Sequence, residues 1–364
     1  MKKIKNPYRG AGLPAGAIKA QGDVRNDASA VRHLLDQCPV HAVTPLATLP
    51  DLAAHLGVAQ IAVKDERTRM GLGSFKALGA AYAIAKQASQ RMGAVPFDAE
   101  TARQALKGQV FAAATAGNHG MSIAAGAKVF GARAVIFIAE TVPEGFAAKL
   151  TAPGAEVIRA GDEYEASLDA AKLAADENGW QLLSDTSWPG YTELPLDIME
   201  GYLVMAAEAA EQCDAENWQP THIFLQAGVG GLAAAAAAGA RAHWGDTPTI
   251  IVVEPDEAPA LQASIEAGQP VVTRGDVSNM GRLDCKEPSH LALKSLAQLA
   301  DYFATVSDDY VTDAIEDLAE EALETSPSGG AGYAGLKAGL AAGDYGLGSG
   351  SRVLLYLSEG PADD

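Results

Sequence analysis

Short, continuously apolar runs alternate along this chain with alanine-rich stretches of helical period, and that alternation constrains the fold more than any other feature. The apolar runs lie at 60–64, 109–114, 134–139, 156–160, 181–185, 222–226, 249–254, 303–306 and 352–358. Several are apolar at successive rather than alternate positions, the pattern of parallel strands covered on both faces. Helix-like stretches fall between them at 74–91, 119–130, 144–150, 163–178, 193–211, 230–243 and 308–324. Parallel strands need crossover connections, so repeated βα units predict an α/β fold with mostly parallel sheets. The alanine runs at 233–238 and 112–114 follow a turn or lie in a strand, and read as tight packing rather than low complexity. No Pro/Ser-rich linker divides the chain. The irregular polar stretches 93–108 and 265–290 are long enough to be functional loops or domain edges.

Composition narrows the function classes. The 364 residues carry a formal net charge of −19, which argues against a nucleic-acid groove or an anionic membrane surface as partner. No apolar run reaches the length of a membrane span. The opening MKKIKNPYRG is basic but has no apolar segment after it, so it does not read as a secretory signal and the chain is expected to be cytoplasmic. Cys38, Cys213 and Cys285 are far apart, which excludes a disulfide framework and a Cys-rich zinc site; no metal is expected.

Three short constellations carry chemistry. The first is Lys64-Asp65-Glu66 followed by Gly71-Leu72-Gly73-Ser74-Phe75-Lys76, a charged strand end, a glycine turn and a helix start. The helix dipole disfavours a cation in a first turn and lowers the pKa of an amine there, which suits a Schiff-base nucleophile. The bland alternative for Lys76 is a solvated surface lysine. The second is Thr115-Ala116-Gly117-Asn118-His119-Gly120, directly after an apolar strand, where α/β proteins bind ligands. Asn118 can donate and accept, and Gly117 and Gly120 would let the backbone approach a flat ligand. His119 could be a base, though a histidine at a helix start more often serves as a structural hydrogen-bonder. The third is Gly228-Val229-Gly230-Gly231, whose successive N–H groups at a helix start can cradle a phosphate. Its spacing fits neither a dinucleotide fingerprint nor an ATP P-loop.

In their order along the chain these three resemble fold-type II pyridoxal-phosphate enzymes, a superfamily that includes threonine dehydratases, cysteine synthases and diaminopropionate ammonia-lyases. The resemblance runs from Thr44-Pro45-Leu46 to Ser358-Glu359-Gly360. Asp185-Thr186-Ser187-Trp188-Pro189-Gly190-Tyr191, Glu193-Leu194-Pro195, Ile198-Met199-Glu200-Gly201-Tyr202, Cys285-Lys286-Glu287-Pro288 and the ending through Pro361-Ala362-Asp363 look like the ammonia-lyases in particular. The resemblance implies two α/β domains: a larger cofactor-binding one from residues 1–78 and 193–364, and a smaller one from 79–192. It implies that Lys76, with Phe75 beside it, holds pyridoxal 5'-phosphate covalently and removes the Cα proton. Asn118 would bond the ring hydroxyl, Gly228, Val229, Gly230 and Gly231 the phosphate, and Ser358 would face the pyridine nitrogen. Asp185 matches a carboxylate near the substrate.

One departure bears on the substrate. The ammonia-lyase pattern has Asp where this chain has Ala116, and that Asp serves as base for D-substrates. The Ala116 loop and Gly73-Ser74 are dehydratase-like, while Thr115 and Leu78-Gly79 lean towards the ammonia-lyases. The implied activity is α,β-elimination from a small L-amino acid, with 2,3-diaminopropionate the favoured substrate, by a homodimer. Serine, threonine or another 3-hydroxy amino acid is the alternative substrate, and a non-catalytic α/β ligand-binding protein the alternative of another class.

Overall fold

A computed structural model of the chain describes residues 2–93 and 98–361. Residues 94–97 of the irregular stretch and Ala362-Asp363 of the C-terminal motif lie outside the described residues. The strands are β1 Lys3–Lys5, β2 Leu46–Thr48, β3 Gln60–Asp65, β4 Val110–Ala114, β5 Arg133–Ile138, β6 Glu156–Arg159, β7 Gln181–Leu182, β8 His222–Gln226, β9 Thr249–Pro255, β10 Tyr302–Val306 and β11 Arg352–Leu357. The helices are α1 Ser29–Leu35, α2 Pro50–Leu56, α3 Lys76–Met92, α4 Ala99–Ala105, α5 Asn118–Val129, α6 Glu144–Thr151 and α7 Tyr164–Asn178. They continue with α8 Glu193–Ala215, α9 Gly231–Trp244, α10 Ala260–Ala267, α11 His290–Leu299, α12 Asp308–Glu320 and α13 Pro327–Ala342.

The strands form two sheets. One runs β1-β10-β9-β8-β11-β3-β2, and the other runs β6-β5-β4-β7. Among the described strands, the edge strands β1 and β2 pair antiparallel and the remaining ladders are parallel. Strands β4 and β8 are buried at every position, as their unbroken apolar runs require. The chain builds the edge of the larger sheet, leaves to build the smaller one, and returns at α8. No helix among the described residues is long and apolar enough to cross a membrane.

The alanine run of α9 is packing. Ala233 to Ala237 are fully buried, and α9 lies between α8 and α11. Small Cβ atoms let these helices approach closely; a Cβ on Gly239 would lie 2.8 Å from that of Ala206. Two expected elements shrink. The strand expected over 181–185 ends at Leu182, and Asp185 lies in the bend beyond it. The helix expected over 308–324 ends at Glu320.

Candidate active site

The site lies beyond the carboxyl ends of neighbouring parallel strands, where α/β sheets leave a crevice. β3 and β11 pair side by side, and the segments leaving them bond to each other. Phe75 N–H donates to the Ser358 carbonyl at 3.0 Å, and Gly360 N–H to that of Gly73 at 3.1 Å. Gly71 and Gly73 take positive φ (70° and 79°), the left-handed turn that glycine adopts without strain. Helix α3 then starts at Lys76 itself.

Lys76 is no free surface lysine. Its ammonium pairs with the carboxylate of Asp185 and lies 5.2 Å from the ring centroid of Phe75 and 5.8 Å from that of Tyr202. Burial works against its charge, but the groups around it, Asp185 foremost, together raise its pKa. This corrects the expectation of an amine with a lowered pKa: a carboxylate in contact is a stronger influence than a helix dipole. Burial likewise works against the Asp185 anion, yet the Lys76 ammonium holds its pKa well below the usual carboxylate range.

Asn118 opens α5 at the end of β4, and its amide Nδ2 donates to Glu359 Oε2 at 2.7 Å. His119 takes the structural role: its buried ring bonds the Leu183 carbonyl through Nε2 at 2.9 Å, and burial lowers its pKa. Gly120 does not face a ligand, because a Cβ there would lie 2.7 Å from Leu150 in the core. Gly117 is open, its notional Cβ meeting only Arg282 Nε at 3.9 Å.

The glycine loop follows β8 and ends where α9 begins at Gly231. Gly230 has φ +100°, so a side chain there is strained. Gly228 lies against the segment 282–285: a Cβ would come within 3.0 Å of Leu283 Cα and Cys285 Sγ. Val229 is held through its carbonyl, which accepts the Ser289 N–H at 3.0 Å. Gly231 faces Tyr202, 3.6 Å from a notional Cβ. Tyr202 thus stands between the glycine loop and Lys76. Ser358 is buried at the end of β11 beside the lysine turn. All three motifs therefore converge on one cleft.

The sequence reading missed three residues in that cleft, Tyr202 and the pair Arg282–Glu359, in which the half-buried Arg282 Nη1 lies 2.7 Å from the buried Glu359 Oε1. Their one sequence signal is placement: a tyrosine closing Met199-Glu200-Gly201-Tyr202, and a carboxylate just past an apolar strand. The cleft also holds Ser74 Oγ, buried with no hydrogen-bond partner among the described residues. Buried hydroxyls normally find a partner. An amine, an orphaned hydroxyl and a glycine-rich helix start together suit a ligand bearing an aldehyde, ring polar groups and a phosphate.

Known proteins agree with that chemistry. The diaminopropionate ammonia-lyase of Salmonella typhimurium (strain LT2) is 36% identical over 282 residues, 74% of this chain and 70% of that protein. The chloroplastic biosynthetic threonine dehydratase of Arabidopsis thaliana is 28% identical over 297 residues, 81% of this chain and 45% of that protein. The crystal structure of Escherichia coli diaminopropionate ammonia-lyase in complex with D-serine superposes with a TM-score of 0.86 at 29% identity, covering 99% of this chain and 93% of that one. The model of the pyridoxal-phosphate dependent enzymes matches residues 38–359, across both sheets and every motif of the cleft, and the chain belongs to that family, in its fold type II, with pyridoxal 5'-phosphate as its cofactor.

Proposed function

We propose that this enzyme removes the β-amino group of L-2,3-diaminopropionate by α,β-elimination, leaving a product that hydrolyses to a 2-oxo acid and a second ammonia. One observation carries the choice of leaving group: Asp185 is held as an anion by the Lys76 ammonium. A carboxylate can keep the bound β-amino group protonated, so that it departs as neutral ammonia. To expel hydroxide from serine or threonine, the same group would have to be a proton donor, and its lowered pKa works against that. The Salmonella and Escherichia coli relatives, named for diaminopropionate, support this reading.

Bound in the cleft, the cofactor supplies a conjugated ring that accepts the electron pair left on Cα. The chain does the rest. Lys76 Nζ would anchor the cofactor and would take the Cα proton of the substrate. Phe75 and Tyr202 flank that amine. Asn118 holds the ring hydroxyl, and Ser358 faces the pyridine nitrogen. The N–H groups from Gly228 to Gly231 hold the phosphate at the positive end of α9. Asp185 faces the β-ammonium group and keeps it protonated until it leaves as ammonia.

The dehydratase reading draws support from Ala116 and from the threonine dehydratase relative. A binding protein without chemistry is disfavoured by Lys76 paired with a carboxylate inside a cofactor-enzyme cleft. Handedness follows from Ala116, whose methyl group cannot take a proton from the face opposite Lys76, whereas the Escherichia coli relative is seen in complex with D-serine. The partition of strands between two sheets supports a larger domain of 1–78 and 193–364 and a smaller one of 79–192. Free thiols at Cys38, Cys213 and Cys285 favour a reducing, cytoplasmic location. A homodimer is proposed on the resemblance.

The test is a panel of β-substituted amino acids of both hands, scored by release of 2-oxo acid and ammonia. L-2,3-Diaminopropionate should be turned over fastest, its D-isomer hardly at all, and Ala116→Asp should raise the D-rate. Equal rates on the two isomers would overturn the stereochemical part of the reading.

A further inference from the structure

Glu359 belongs to none of the roles assigned so far, yet it is among the most completely bonded side chains in the cleft. It is 4% exposed. Its Oε2 accepts the Asn118 amide at 2.7 Å. Its Oε1 accepts Arg282 Nη1 at 2.7 Å and the hydroxyl of Ser326. Its backbone carbonyl accepts Thr325 Oγ1 at 2.6 Å, and its backbone forms a bridge with Ser74 in the lysine turn. Gly329 leaves room for it, since a Cβ there would lie 3.0 Å from the Glu359 carbonyl oxygen and 3.1 Å from its Cγ. Burial pushes the pKa of this carboxyl up and Arg282 opposes the shift.

An asparagine amide can be turned end for end with almost no change in shape, presenting either its carbonyl or its NH2 to a given neighbour. An ionised carboxylate removes that freedom, because it accepts and never donates. We propose that Glu359 is a positioning residue: by taking one N–H of Asn118 it fixes the amide so that the second N–H remains the donor for the cofactor's ring hydroxyl. Arg282 and Ser326 hold the other carboxylate oxygen, so Glu359 cannot swing away from Asn118. The inference rests on the reading that Asn118 bonds that hydroxyl.

The experiment titrates apoprotein with pyridoxal 5'-phosphate, following absorbance, for wild type, Asn118→Ala, Glu359→Ala, Glu359→Gln and each double variant. Asn118→Ala should weaken cofactor binding about tenfold or more, the cost of a lost hydrogen bond to a charged group. Glu359→Ala should weaken it comparably in the wild-type background but by less than about threefold once Asn118 is alanine, since positions that act through one another do not add. The visible band of the loaded Glu359 variants should move in the direction seen for Asn118→Ala, which a purely structural defect would not produce. If Glu359→Ala fails to fold, the near-isosteric Glu359→Gln carries the same cycle. An equal effect of Glu359 substitution in both backgrounds, or none in either, overturns the positioning role. Unchanged affinity and spectrum in Asn118→Ala alone would instead overturn the role given to Asn118.

Discussion

Lys76 sits at a helix start, where the dipole works against a cation, and Asp185 is what keeps it charged there. Removing its side chain should abolish turnover. Lys76→Ala should nonetheless fold, at a cost of roughly 1–3 kcal/mol, because the largely buried Asp185 carboxylate loses its partner. Near-normal activity in the folded variant, measured as 2-oxo acid release, would contradict the assignment. The raised pKa also has a sign. Only the neutral amine attacks an aldehyde, and below its pKa the neutral fraction grows about tenfold per pH unit. Covalent loading of apoprotein should therefore accelerate with pH through neutrality, and Asp185→Asn, which removes the stabilising charge, should load faster at a given neutral pH. Stopped-flow absorbance checks both, and a flat pH profile in wild type would contradict the ion pair's role. At this scale the sequence was legible where a residue sits in a local turn: Lys76, Asn118 and the glycine loop announce themselves by their neighbours. Glu359 and Tyr202 did not, because what gives them meaning is contact with Asn118 and Lys76, far away along the chain.

Elements were legible where apolar runs were long. The long parallel strands and the helices α3, α5, α6, α7, α8 and α9 stand close to their expected ranges. The short edge strands β1 and β2 have too few residues to show a period. Helix α13 hid for another reason. Its sequence, rich in glycine, has poor helix propensity, but Gly332 and Gly335 let it lie directly on β8 and β9. A Cβ at Gly332 would come within 2.9 Å of Gln226 Oε1, and one at Gly335 within 2.5 Å of Val253 Cγ2. Packing overrides propensity there. The crossing of α3 with α8 is tighter still: a Cβ on Gly201 would lie 2.3 Å from the Leu78 carbonyl oxygen. Gly201→Ala should therefore cost roughly 1–3 kcal/mol of stability, and because α3 begins at Lys76 it should also lower kcat. Denaturant unfolding together with steady-state kinetics tests this, and an unchanged midpoint would mean the helices part without strain.

Over the whole molecule, side chains from the two sheets meet across one cleft. Asp185, beyond β7, reaches Lys76, beyond β3; Asn118, beyond β4, reaches Glu359, beyond β11. Ser187 bonds Ser289 Oγ at 2.7 Å and accepts the Leu291 N–H at 2.9 Å, tying the Asp185 segment to the start of α11 beside the glycine loop. The alternation of βα units disclosed the fold class, but the order of strands in each sheet and the contacts across the cleft depend on pairings between distant segments that no local pattern encodes. These contacts place an anionic Asp185 against the Lys76 amine, and the proposed choice of substrate follows from that charge. The most direct measurement is kcat/KM of the loaded enzyme on L-2,3-diaminopropionate against L-serine, in wild type and in Asp185→Asn. Wild type should favour the diamine strongly, and Asp185→Asn should lose about 100-fold or more on the diamine, mostly in kcat, narrowing the gap between the substrates. Equal or better turnover of L-serine by wild type, or a preference that Asp185→Asn leaves intact, would contradict the account.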